Sequence, residues 1–178
     1  MALTVEDGTG LAGADSFVSL AACDAYCLAH GLTAWSGVAS SPSTLKDAAL
    51  RRATSYLSNS FTWKGYKLNG RSQALAWPRT SVVDDEGEDV ASDEVPSEVI
   101  AACCEIASRE LETPGFTSPD VVLTDRIRRE KVGPLEVEYA AAPVSADAAR
   151  PVLMLVRDMI AGLLSGSANA LVGTAARG

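Results

Sequence analysis

Residues 69–79, which read Asn-Gly-Arg-Ser-Gln-Ala-Leu-Ala-Trp-Pro-Arg, separate two stretches with helical patterning and are not helical themselves. Trp77 precedes Pro78, and the residue before a proline is pushed out of helical geometry into an extended form. A large aromatic side chain is therefore held on non-helical backbone, with Arg79 immediately after it. This arrangement suits packing or docking, so Trp77 is either a core residue or an interface residue, and Arg79 is a candidate interface residue beside it.

Composition limits the kind of partner that the chain can bind. The 178 residues suffice for one domain with appendages, and a hydrophobic share of 47% is enough for a real core. The 15 basic and 23 acidic residues give a formal net charge of −8. Nonspecific nucleic-acid binding needs Lys and Arg to neutralise phosphates, so an acidic chain can bind nucleic acid only through a local basic patch.

Apolar side chains recur at helical spacing in four stretches, at about residues 20–30, 44–59, 96–112 and 148–164. Ser19 and Ser43 are good N-caps for the first two helices, and Gly31 closes the first. Pro96 suits the first turn of the third helix. The predicted fold class is therefore mainly α, a small bundle of about four helices.

The remaining segments are predicted to be a hairpin and two arms. Three glycines within residues 1–18 favour an extended N-terminal arm. A β-hairpin is predicted within residues 122–140, because apolar and acidic side chains alternate after the turn at residues 132–134. We expect one domain over residues 1–164 and a C-terminal docking tail over residues 165–178.

Charged and apolar side chains in these segments are candidate contact residues. The first hairpin arm carries Arg126, Arg128 and Arg129, which either pair with acids of the second arm or face an acidic neighbouring molecule. In the tail, Asn169, Leu171 and Val172 belong to a short segment that could order on binding a partner.

No catalytic or metal-binding constellation is apparent in the sequence. It contains one histidine, no nucleotide-binding loop with its preceding strand, and no Cys-x-x-Cys spacing. The four cysteines are predicted to be small buried side chains. We expect neither enzymatic activity nor a cofactor, and whether the acidic loop at residues 84–94 binds an ion is left open.

The chain is also expected to stay out of membranes. The longest apolar stretch, residues 152–164, is interrupted by Arg157 and Asp158 and is too short to span a bilayer. The N-terminus has neither the basic nor the apolar region of a signal peptide, which predicts synthesis in the cytosol.

Aromatic residues alternate with polar ones just before the Trp-Pro segment. Phe61, Trp63 and Tyr66 are interleaved with basic residues, a pattern that can stack single-stranded bases beside phosphate contacts. The basic residues are Lys64, Lys67, Arg71 and Arg79. The alternative is that the aromatic rings cover the open side of a small helical core.

The order of several motifs resembles that of the head–tail connector, or adaptor, proteins of tailed bacteriophages. The most specific pieces are residues 73–79 (Gln-Ala-Leu-Ala-Trp-Pro-Arg) and residues 132–139 (Val-Gly-Pro-Leu-Glu-Val-Glu-Tyr). Residues 5–10, 13–19 and 48–57 and the apolar last helix extend the resemblance over nearly the whole chain. Some related sequences are labelled DnaT-like single-stranded-DNA-binding proteins.

The resemblance implies a structural virion protein, made in the cytoplasm of the host bacterium and located in the neck between head and tail. Copies of the chain, about twelve in the family, would form a closed ring below the portal protein. The ring would meet a stopper or tail terminator on its other side. DNA would pass through the channel without specific binding, which the acidic composition favours. The alternative function is a single-stranded-DNA-binding or replication accessory protein that uses the aromatic segment.

Overall fold

The structure of the protein is a computed structural model. It describes residues 3–118, 129–132, 135–138 and 153–166. The helices are α1 (Leu20–Ala29), α2 (Thr33–Ser36), α3 (Thr44–Ser60), α4 (Ser97–Glu112) and α5 (Met154–Met159). Two antiparallel two-stranded ribbons accompany them, β1 (Tyr66–Lys67) with β2 (Arg79–Thr80) and β3 (Arg129–Val132) with β4 (Leu135–Glu138). The predicted mainly helical fold with a small hairpin is confirmed.

Local capping signals set the bounds of α1. The Oγ of Ser19 accepts the Ala22 N–H at 3.2 Å, as an N-cap does, and Gly31 ends the helix at a φ of +67°. Ser43 does stand at the N-cap position of α3, but its Oγ donates to Asp47 Oδ2 at 2.9 Å and caps no backbone N–H. The charged Asp47 carboxylate, one helical turn away, forms a stronger hydrogen bond with this hydroxyl than a backbone N–H would.

Helices α3 and α4 pack along each other at the centre of the domain. Ala49, Leu50, Ala53 and Leu57 of α3 are buried, and α4 contributes Val99, Ala102, Ile106 and Ala107. Cys23, Cys27, Cys103 and Cys104 are free thiols with no solvent exposure, as predicted, and burial raises the pKa of Cys103 to about 12.

Residues 3–18 contain no helix, as predicted, and they fold back on themselves against the helices. Glu6 donates its N–H to the Ser16 carbonyl at 2.9 Å, and Asp15 donates to Thr4 at 2.8 Å. Phe17 is buried, so this segment contributes to the core of the same domain.

The C-terminal helix is shorter than predicted. Within the described residues, α5 ends at Met159, and a 3-10 turn follows over Ala161–Leu163. Residues 163–165 then pair with residues 62–64 as an antiparallel bridge. This pairing between distant parts of the chain takes the place of the last helical turn. Residues 148–152 of the predicted helix lie outside the described residues.

The β3–β4 ribbon has the register that the charge pattern predicted. Arg129 lies opposite Glu138, and Lys131 lies opposite Glu136. Arg126 and Arg128 lie outside the described residues, as does the tail from residue 167 onward. Within the described ranges, no helix is both long and apolar enough to cross a membrane.

Candidate nucleic-acid interface

A long part of the sequence carries positive charge only. Residues 48–83 contain six Lys or Arg residues and no Asp or Glu, in a chain that holds 15 basic and 23 acidic residues overall. The six are Arg51, Arg52, Lys64, Lys67, Arg71 and Arg79. The part of this segment after α3, residues 61–83, is called the basic loop below.

Acids from outside the segment neutralise three of the six. Arg51 pairs with Asp15, Arg52 with Glu110, and Lys64 with Asp85, each with an N···O distance of 2.7 Å. These three positive charges are therefore largely neutralised by acidic side chains of the same molecule.

Arg79 holds the basic loop together. Its guanidinium donates to the carbonyl oxygens of Lys64 at 2.7 Å, Gly65 at 2.7 Å and Ala76 at 3.1 Å. Burial lowers the pKa of Arg79 from its ordinary value. Arg79 was predicted as an interface residue, and the structure places it half-buried, with its three donor atoms bound to backbone of its own loop.

Lys67 and Arg71 are the remaining cations of the basic loop. The Nζ of Lys67 makes a long contact of 3.4 Å to the Gln73 carbonyl, and burial together with neighbouring Arg79 lowers its pKa. Arg71 is exposed on the 3-10 turn Gly70–Ser72 and has no ion pair or hydrogen bond to the part of the chain that the structure describes. These two side chains are the best placed to meet an anion.

The predicted aromatic set does not lie together on the surface. Trp63 is 6% exposed and Trp77 is 0% exposed, and their rings meet edge to face with centroids 5.6 Å apart. Phe61 packs against Trp63 at 6.0 Å. Of the two alternatives for Trp77, the structure therefore shows the core residue, and Trp63 is covered in this structure and offers no free face to a base.

Tyr66 is the aromatic side chain of the loop that is available, with 74% of its surface exposed. Gly65 causes this, because its backbone turns at a φ of +64° and lies so close to the Thr80 and Ser81 carbonyls that a Cβ atom would clash. The turn breaks the alternation of residues 61–67, so Tyr66 faces solvent whereas Trp63 faces the core. The sequence pattern named Tyr66 together with Phe61 and Trp63 and could not show which of the three rings is exposed, whereas the acid-free stretch could have been found by counting.

Two indole N–H groups in this region have no partner among the residues that the structure describes. The Nε1 atoms of Trp63 and Trp77 are buried and make no hydrogen bond to that part of the chain. A buried donor without an acceptor costs roughly 1–3 kcal/mol, so these atoms mark a place where the core is not at its most stable.

The other candidate residues lie elsewhere or are not described. Arg129 is on β3, opposite Glu138. Asn169, Leu171 and Val172 lie outside the described residues. In the acidic loop, Asp84 accepts the N–H groups of Glu88 and Glu86 at 2.9 Å each, and these bonds lower its pKa. No three metal-ligand side chains converge within the described ranges.

Comparison with protein-family models gives a match over the whole chain. The family model described as "Putative DnaT-like ssDNA binding protein" matches residues 1–178. Comparisons with curated proteins and with solved structures give no significant match.

Proposed function

We propose that this chain, which belongs to that DnaT-like family, binds single-stranded DNA through the basic loop, with Tyr66, Lys67 and Arg71 as the contact residues. The observation that carries the proposal is the combination, in one acid-free loop, of an exposed aromatic ring and an exposed unpaired cation. Base stacking on an aromatic ring tolerates any sequence, because every base has a π face.

The chemistry is binding and requires no catalysis. Tyr66 offers its ring to one base, and Lys67 and Arg71 offer positive charge to the flanking phosphates. With only two phosphate contacts, from Lys67 and Arg71, and a net charge of −8, the affinity of one copy is expected to be low.

The test is fluorescence anisotropy of a labelled oligothymidine titrated with the wild-type protein and three variants over a range of salt concentrations. Arg71→Ala is expected to reduce the magnitude of the log–log salt slope by about 0.7, the value for one phosphate contact to a single strand. Tyr66→Ala is expected to weaken binding about fivefold or more with an unchanged slope, since stacking contributes about 1–3 kcal/mol per base.

Arg109→Ala is the matched control. Arg109 is an exposed arginine on α4 whose side chain has no ion pair or hydrogen bond to the described residues, so this substitution removes the same charge at another place. If Arg109→Ala weakens binding as much as Arg71→Ala does, the basic loop is not the site. No measurable binding at about 0.05 M salt would reject single-stranded-DNA binding itself.

A second candidate is the head–tail connector, with the chain as one of about twelve subunits of a neck ring in the virion. Exposed apolar side chains outside the basic loop favour it: Leu28 on α1 is 75% exposed and Leu45 on α3 is 64% exposed. Side chains of this kind suit contacts to further copies, to a portal protein or to a stopper or tail terminator. A net charge of −8 would let DNA pass along the ring without sticking.

Quantitative mass spectrometry of purified phage particles gives the number of copies of the chain per particle. This number separates the two candidate functions. About twelve copies per particle, equal to the portal, would support the connector. Absence of the chain from particles would reject it and leave single-stranded-DNA binding.

A further inference from the structure

The chain segment after α5 lies along the edge of the basic loop. Lys64 donates its N–H to the Leu163 carbonyl at 3.0 Å, and Ser165 donates its N–H to the Thr62 carbonyl at 2.9 Å. The Oγ of Ser165 bonds the same Thr62 oxygen at 3.2 Å. These contacts make residues 162–165, called the strap below, an added strand on residues 62–64.

The strap covers Trp63. The two backbone hydrogen bonds flank the Trp63–Leu164 pair, so these residues form a non-hydrogen-bonded pair of an antiparallel ladder. In such a pair the Cα atoms approach to about 4.5 Å and the side chains lie close together on one face. Leu164 is partly buried against the core beside the 6%-exposed Trp63.

The strap also engages Lys64. The Nζ of Lys64 donates to the Gly162 carbonyl at 2.7 Å and to Asp85 at 2.7 Å. Both of these partners of Lys64 stay in place when residues beyond Leu163 move, so what the end of the strap withholds is the aromatic ring of Trp63, three positions from Tyr66.

The strap is held less firmly than the helix before it. Val156, Ile160 and Leu163 anchor the C-terminal element in the core, each with 4% exposure or less. Beyond Leu163, the described contacts with residues 62–64 are the Leu164 side chain and two bonds from Ser165. Releasing residues 164–166 costs these few contacts and leaves the anchor in place. Release also gives the unpartnered indole N–H of Trp63 access to an acceptor.

We propose that the end of the strap, residues 164–166, is an autoinhibitory cover, whose release adds Trp63 to the single-stranded-DNA site at Tyr66; this inference rests on the proposed function. A second base then stacks on the uncovered face of Trp63. The closed form binds weakly and the open form binds tightly.

The first measurement uses the unmodified full-length protein. Amide hydrogen exchange is followed with and without saturating oligothymidine. We expect the N–H group of Ser165 to exchange faster in the complex, whereas those of Lys64, which bonds the anchored Leu163, and of α4 stay unchanged. Unchanged or slower exchange at Ser165, with binding present, overturns the strap inference alone. Absence of any binding overturns the proposed function.

The second measurement uses a released variant. Leu164→Ala with Ser165→Pro removes the cover and both Ser165 bonds and retains the core anchor. It is expected to make tryptophan fluorescence more sensitive to acrylamide quenching and to tighten oligothymidine binding about fivefold or more, the gain from one stacked base. Leu155→Ala is the control, because Leu155 is an exposed leucine on α5 outside the strap. Greater quenching without tighter binding, or equal effects in the control, overturns the inference.

Discussion

At the residue scale, a buried lysine is balanced by one carboxylate that serves three donors. Lys46 is 3% exposed, and its Nζ donates to Asp24 Oδ1 at 2.7 Å and to Ser40 Oγ at 2.9 Å. Asp24 also accepts Trp35 Nε1 at 2.7 Å and Ser40 Oγ at 3.0 Å. The ammonium group lies 4.9 Å from the centroid of the Trp35 ring. This network ties α1 to α2 and α3.

Asp24→Asn is expected to destabilise the protein by about 2 kcal/mol, because it leaves a buried ammonium without a counter-charge. The value is below the cost for a fully buried pair, since Asp24 is 34% exposed. Asp15→Asn is the control: it breaks the Arg51–Asp15 pair, in which both side chains are about one-third exposed, and is expected to cost less than about 1 kcal/mol. Urea denaturation measures both, and equal losses would contradict the argument.

The Asp24 carboxylate also contributes to the loss of stability at low pH. Burial alone would raise the pKa of Asp24, but bonds from Lys46, Trp35 and Ser40 lower it below 3.8 on balance. A folded-state pKa below the unfolded one gives stability that is complete above the unfolded pKa and is lost as the pH falls through the folded pKa. Between about pH 5 and pH 2, the free energy of unfolding should therefore fall more steeply for the wild type than for Asp24→Asn. Parallel curves in urea titrations at each pH would contradict this.

At the element scale, the N-terminal segment, residues 3–18, is held in shape by Glu6 and lies closely against the loop before α4. The Glu6 carboxylate accepts three backbone N–H groups, from Gly8 at 3.1 Å, Gly10 at 2.8 Å and Leu11 at 2.9 Å. Gly8 has a φ of +97°, and a Cβ atom there would overlap the Asp93 carbonyl. The segment is thus part of the folded domain and depends on glycine at this approach.

Gly8→Ala is expected to cost more than about 2 kcal/mol, because backbone strain at positive φ of about 1 kcal/mol is joined by a clash with main chain. Gly87→Ala is a close control. Gly87 has a similar φ of +91°, but nothing lies within 4 Å of its Cβ position, so only the strain of about 1 kcal/mol applies. Thermal or urea unfolding measures the loss of stability in each variant. Equal losses would show that the N-terminal segment moves away from the Asp93 carbonyl without cost.

The elements that the sequence predicted are those with local signals. Ser19 and Gly31 bracket α1, and Pro96 stands at the N-cap of α4, so the bounds of these helices follow from nearby residues. The one-turn helix α2 was not among the four predicted helices, because four residues show no periodicity. The end of α5 was not predictable and the two alternatives for Trp63 could not be decided, since both depend on the pairing of residues 62–64 with a segment about 100 positions away.

At the scale of the whole molecule, the acidic surface works against the proposed DNA contact. The net charge is −8, and the acidic loop begins at Asp84, directly after the acid-free stretch. Asp85 reaches back to Lys64, so the acidic loop lies against the basic loop. The local positive potential at Lys67 and Arg71 is therefore reduced by nearby acids as well as by the total charge.

Removing two of these acids should strengthen binding in a salt-dependent way. Glu86→Gln with Glu88→Gln changes the net charge from −8 to −6, and the backbone bonds to Asp84 remain because they use main-chain N–H groups. We expect about threefold tighter oligothymidine binding at low salt, from two unit charges acting through water over roughly 12 Å.

Glu98→Gln with Glu112→Gln makes the same net change at the two ends of α4 and is the control. The Debye length falls from about 30 Å at 0.01 M salt to about 8 Å at 0.15 M, so the control should lose its gain at 0.15 M whereas the acidic-loop variant keeps part of it. Equal gains for both pairs at 0.15 M would mean that the DNA does not lie beside the acidic loop, and would move the contact away from the basic loop.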